Sequence, residues 1–326
     1  MKIGVRHIKF LLFGVSIFLL LCGSSAIAQG VQWKTVKTDV VTELNSDIKP
    51  GVATVDVGIY YPSNFDKAFT DQFSLDDLIT EFAKSKEIFA VADVQLNLLW
   101  IKTGRIEESF FEIQSNNMSG AIPGGLYSNM YVNSRRHPSV LTPSAQSAFE
   151  SIIEEHETSD RTVYLVVLQS VFMSFFEKLD ERTWELRTIT TGGLSFPSYI
   201  YQQIPRHMRG VITVNRSDPL RGIVAHELGH KLMNVSHEYK DIDPQHEVRD
   251  EGGLMLYGSG TDIPSGIEGR WHKERLHLSP YVYVQSDDGV RRWNPDYLEG
   301  GHYYDPIYGD KVVQFGTLEP ESIEVK

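Results

Sequence analysis

HELGHKLMNVSH, from His226 to His237, is the stretch that decides how the rest of the chain is read. On a helix, positions i and i+4 share one face about a turn apart, so His226 and His230 can point at one ion. Imidazole nitrogens bind zinc at about 2.0–2.1 Å. Glu227 follows the first histidine and is placed to reach a water beside that ion. Asn234 is expected to end the helix, because asparagine tolerates the left-handed conformation that turns a chain at a C-terminus. Three residues on, His237 is expected to return to the metal. Three neutral imidazoles leave a fourth position open, the layout of a catalytic rather than a structural zinc site.

Downstream, Gly252-Gly253-Leu254-Met255-Leu256-Tyr257-Gly258 reads as a tight turn, its methionine bracketed by glycines. The two stretches together resemble the metzincin clan of zinc metalloproteases, which carry HExxHxxGxxH and a methionine turn beneath the metal. Here the motif is HExxHxxxNxxH: the spacer to the third histidine is one residue longer, and Asn234 stands where the glycine would be. The resemblance implies a Zn2+ held by His226, His230 and His237. It also implies Glu227 as general base and Tyr257, two residues past the methionine, as an oxyanion-stabilising group. The expected activity is endopeptidase hydrolysis of a protein or peptide substrate. Zinc supplies a Lewis acid and an activated water, and Glu227 passes the water's proton to the leaving amine. The region 264–269 is expected to shape the specificity pocket.

Other ligands compete for the metal. Asp250 and Glu251 fall at the distance of a thermolysin-like glutamate, and His246 is a loop candidate. Gly260-Thr261-Asp262 lacks one residue of a deuterolysin-like GTxD string. His272 and His277, near an expected helix, read as structural or surface residues.

Working back from the motif, Asp218-Pro219 is expected to open its helix, with aspartate as N-cap and proline at the first turn. Upstream, 55–61 and 94–101 read as strands, and 75–92 between them has helical apolar spacing. Ser74 is its expected N-cap, with Asp77 three residues on. The run 162–171 is nearly all apolar, as a strand buried on both faces should be. The segment 191–197 reads as a turn into an edge strand, placed near 194–200. A further strand is expected at 210–215. Helices are expected at 144–156 and 271–278, with a short one near 107–113 inside a long irregular insertion, 104–145. This order implies an α+β fold, and the resemblance implies a metzincin-like catalytic domain with a twisted, mostly parallel sheet, an antiparallel edge strand, a long helix and the zinc-binding helix. The expected organisation is a signal peptide at 1–28, a lead-in at 29–52, the catalytic domain at 53–285 and a C-terminal extension at 286–326.

The first residues carry Lys2, Arg6 and Lys9, then an apolar run to Leu21, then Ala26-Ile27-Ala28. That is the pattern of a cleaved secretory signal, because the run is shorter than the ~20 residues of a spanning helix. A lipoprotein reading at Cys22 is weakened by the bulky Leu21 before it. Secretion, extracellular or periplasmic, is therefore expected, with no stable membrane insertion after cleavage. Cys22 is the single cysteine of the 326 residues, which excludes a disulfide framework and a thiolate metal site. The net charge of −12 becomes −15 once the signal is removed. Nucleic acid is therefore not an expected partner. Two other functions use the same residues: a secreted binding or adhesion module with an idle zinc site, and a zinc hydrolase of a non-peptide bond. An intact Glu227 speaks against the first, and substrate profiling separates the second.

Overall fold

The structure is a computed structural model. It describes residues 31–116, 141–178, 184–196, 204–216, 222–235, 253–255, 261–266, 269–296, 302–304 and 312–314. The signal segment lies outside these residues. No helix among the described residues is long and apolar enough to cross a membrane.

The fold is α+β, built on strand β2 (Ala53–Pro62), whose every residue is buried. A strand buried on both faces needs apolar residues at consecutive positions. Val55, Val57 and Ile59 enter one core, while Tyr60 enters a second on the opposite face. β2 pairs in parallel with β3 (Val94–Gly104) on one side and with β5 (Val163–Val167) on the other. β5 pairs in parallel with β9 (Val211–Val214), and β8 (Gly193–Leu194) closes that edge antiparallel to β9. The sheet thus has a parallel centre and antiparallel borders. β1 (Lys34–Val36) lies antiparallel on β3, and β10 (Val282–Gln285) pairs antiparallel with the start of β2 and with β11 (Arg291–Trp293).

Between β2 and β3 runs the long helix α3 (Leu75–Ala90), after α1 (Thr38–Leu44) and α2 (Lys67–Gln72). Its start is the expected capping box. The Asp77 N–H donates to the Ser74 hydroxyl (3.1 Å), and the Ser74 N–H donates to the Asp77 carboxylate (2.8 Å). Leu78, Phe82, Ile88 and Phe89 drop from α3 into the first core, where they meet β2, β3 and β5. The other face of the sheet is covered by α4 (Pro143–Ile152) through Ala145, Ala148, Phe149 and Ile152. Two helices complete the described set: α5 (Ile223–Met233), which carries the motif, and α6 (Arg270–His277). Val224, Leu228 and Leu232 seat α5 in the first core with α3.

Four expectations change. The apolar run at 162–171 is two strands, because the chain turns at Leu168-Gln169. There the N–H groups of Gln169 and Ser170 both donate to the Phe111 carbonyl (2.8 and 3.1 Å). β6 (Ser170–Lys178) then leaves for a second sheet, ordered β4-β6-β7, with β4 (Glu112–Gln114) and β7 (Trp184–Thr191). That hairpin was not anticipated. The expected helix at 144–156 stops at Ile152, because Ile153 is already extended (ψ 118°). The short helix near 107–113 is a single 3-10 turn, Glu108–Phe110, followed by β4. Finally, the motif helix opens at Gly222 (φ +63°), not at Asp218. Gly222 is the N-cap of α5, and Asp218 and Pro219 lie outside the described residues.

The lead-in is woven into the main sheet through β1. Asn45 reinforces this, its side-chain amide donating to the Leu98 carbonyl (2.7 Å) and accepting from the Leu98 N–H (2.9 Å). Beyond 286, β11 joins the main sheet, while β12 (His302–Tyr304) and β13 (Val312–Gln314) form an antiparallel pair.

Candidate metal centre

α5 holds His226, Glu227 and His230 on one turn beside the sheet edge. The two imidazole rings lie 4.6 Å apart, centre to centre, at 84°. Each ring is fixed from behind by a backbone carbonyl. Nδ1 of His226 donates to the Leu254 carbonyl (3.0 Å), and Nδ1 of His230 donates to the Val235 carbonyl (2.8 Å). A carbonyl has no proton to give, so in the neutral form of either ring the proton sits on Nδ1 and the lone pair on Nε2. That tautomer is the one a metal ligand needs, and the carbonyls are the outer partners that orient such ligands.

The local chain explains both anchors. Asn234 caps α5 in the left-handed region (φ 53°, ψ 45°), as its residue type suggested. The turn it makes brings the Val235 carbonyl back to His230, five residues away. The other carbonyl comes from the turn at 253–255, where Gly253 adopts φ +89°. Met255 of that turn is fully buried beneath α5. A Cβ on Gly229 would stand 2.5 Å from the Met255 sulfur and 3.1 Å from Leu254, so the turn can press against the helix only where a side chain is missing.

Glu227 is 4% exposed, and its Oε2 is buried without a hydrogen-bond partner. A Cβ on Gly193 of β8 would lie 2.6–2.8 Å from the Glu227 side chain, so the carboxyl packs directly on the backbone of the edge strand. Burial raises the carboxyl to about 8, with the nearby Lys231 charge opposing. Burial likewise lowers His230 to about 3, with His226 and the Val235 bond as smaller influences. A histidine held neutral and a carboxyl titrating near neutrality suit a ligand and a general base respectively.

Of the expected site residues, the structure brings together His226, Glu227 and His230. His237 and Tyr257 lie outside the described residues, as do His246, Asp250 and Glu251. Among the described residues no three metal-ligating side chains converge. Asp262 accepts a hydrogen bond from the Thr261 hydroxyl at an exposed position (2.7 Å). His272 is fully buried, and Nε2 of His277 meets the Ala92 carbonyl at the end of α3 (2.9 Å). The structural reading of the last two agrees with these positions.

The fit of a cation to the site rests on the two imidazoles whose Nδ1 atoms are engaged by carbonyls and on the buried Glu227 carboxyl oxygen that has no hydrogen-bond partner. Two nearby residues were not singled out in the sequence. Gly193 lets Glu227 meet the strand, and the pair Gly192-Gly193 was its signal. Lys231, one turn after Glu227, is 3% exposed, and a lysine inside the apolar run IVAHELGHKLM was the corresponding hint. Neither protein-family models nor curated proteins gave a match to this sequence.

Proposed function

We propose that the chain is a secreted zinc-dependent endopeptidase of the metzincin type. The observation that carries this reading is the pair of histidines anchored through Nδ1 to the Leu254 and Val235 carbonyls, with the Glu227 carboxyl buried beside them. His226 and His230 would hold Zn2+ through Nε2, with His237 as the third ligand. Bound zinc would supply Lewis acidity toward a carbonyl and an acidified water. Glu227 would take that water's proton and return it to the departing amine. Burial raises this carboxyl in the metal-free protein, which favours its holding the proton between the two transfers. Tyr257 would donate to the developing oxyanion.

Several features support the metzincin reading over a bare HExxH helix. The sheet has a parallel centre and ends in an antiparallel strand against Glu227. The long helix α3 shares its core with the motif helix. Met255 lies against Gly229 of the motif helix. An extended peptide along the open side of β8 would run directly past Glu227. That makes a polypeptide the preferred substrate class.

The test is casein or a quenched-fluorescence peptide library, assayed with and without chelator, for wild type and Glu227→Gln. Chelator-sensitive cleavage that the substitution abolishes, with zinc retained, supports the proposal. Cleavage surviving in Glu227→Gln overturns it.

A further inference from the structure

The edge strand touches the motif helix at a second point, beyond the contact between Gly193 and Glu227. The Nζ of Lys231 donates to the carbonyls of Phe196 (2.9 Å) and Arg209 (2.6 Å). We infer that Lys231 is a positioning residue that ties the edge strand and the approach to β9 to the helix bearing His226, Glu227 and His230.

Phe196 ends the edge segment in the left-handed region (φ +47°). A phenylalanine there is strained and keeps that conformation only when its surroundings enforce it. The Lys231 bond on its carbonyl and the edge-on packing of its ring against Phe149 (5.1 Å, 81°) are among the contacts that hold it there. Along the strand, Gly193 and Phe196 are three residues apart, roughly 10 Å of extended chain. Along the helix, Glu227 and Lys231 are four residues apart, about 6 Å. The strand is therefore pinned to one helix face at two separate points. Pairing of Gly193 and Leu194 with β9 holds the strand in the sheet, and the Lys231 bond extends its attachment to the helix past Leu194, as far as Phe196. A purely space-filling residue at 231 would leave two carbonyls near the helix without their donor.

The inference rests on the peptidase reading for its catalytic consequence, but the clamp itself has a readout of its own. Amide hydrogen exchange across 193–196, zinc content, and kcat and KM on the best-cleaved peptide of a quenched-fluorescence library are measured together. The proteins are wild type, Lys231→Met and Lys231→Arg. Lys231→Met keeps the length and removes the donors. The expected result is zinc content equal to wild type, exchange at 193–196 at least tenfold faster, and KM raised at least fivefold. Lys231→Arg, which retains two donors, restores most of both. If Lys231→Met does not fold, Lys231→Gln keeps a single donating group and is expected to show an intermediate exchange rate. Unchanged exchange at 193–196 in a folded Lys231→Met or Lys231→Gln protein overturns the clamp. A wild-type protein that cleaves no peptide while its variants exchange faster sinks the peptidase reading and leaves the clamp standing.

Discussion

His226, His230 and Glu227 meet opposite requirements at neighbouring positions. The histidines must stay neutral to bind a cation, and the glutamate must be able to accept a proton. Burial serves both at His230 and Glu227, by disfavouring the charged form of each. The metal-free protein should show this in its acid stability. His230 and His272 are each lowered from 6.5 to about 3 in the folded state. Below pH 6.5 the unfolded chain binds protons that the folded chain excludes, so stability falls as pH falls. Glu227, raised from 4.5 to about 8, acts in the opposite sense between those values. The two histidines outweigh the one glutamate, so the net effect is a loss of stability as pH falls. The midpoint temperature of chelator-treated protein should therefore drop steadily from pH 6 to 4.5, and a flat profile contradicts the burial argument. At the same scale, Glu227→Gln should lower kcat by roughly a hundredfold or more while zinc content is unchanged, read by peptide hydrolysis beside metal analysis. The sequence disclosed these residues because HExxH has fixed helical spacing. It did not disclose the anchoring carbonyls of Leu254 and Val235, because backbone groups leave no mark in residue identity.

Among the elements, those with strong local signals were readable. α3 announced itself by its apolar spacing and by Ser74 and Asp77. Replacing Ser74 with Ala should cost about 1 kcal/mol, measured by urea unfolding, because the Asp77 N–H loses its acceptor. β2 was readable because a central parallel strand needs an unbroken apolar run. The corner at Leu168-Gln169 was not, since the residues before it and after it are equally apolar and only the Phe111 carbonyl, distant in sequence, separates the strands. The true start of α5 was hidden for a related reason. Asp218-Pro219 is a good local start signal, yet Gly222 takes the left-handed turn that fixes the entry. Within α5, Gly229→Ala sets two effects against each other. Alanine gains about 1 kcal/mol in helix propensity. Its Cβ would crowd the Met255 sulfur at 2.5 Å, and overpacking costs about 1–3 kcal/mol. The crowding should win, giving a net loss in unfolding free energy and weaker zinc retention, because Leu254 anchors His226 from the same turn. A stabilised Gly229→Ala protein contradicts that packing.

At the scale of the whole molecule, the main sheet collects strands from nearly the full described length, from β1 at Lys34 to β11 at Trp293. Asp56 illustrates the closure. It is fully buried beneath β10 and β11, where it accepts from Tyr283 (2.9 Å) and Arg291 (2.6 Å). Such long-range joins are invisible to a local reading. The central claim about the molecule is that this scaffold exists to hold a catalytic cation between α5 and the edge strand. It is tested most directly by metal analysis of the purified protein beside His226→Ala, His230→Ala and His237→Ala. One zinc per chain in the wild type, and a marked loss in each variant, is the predicted result. A wild type without zinc, or zinc retained in full by His226→Ala and His230→Ala, would contradict it.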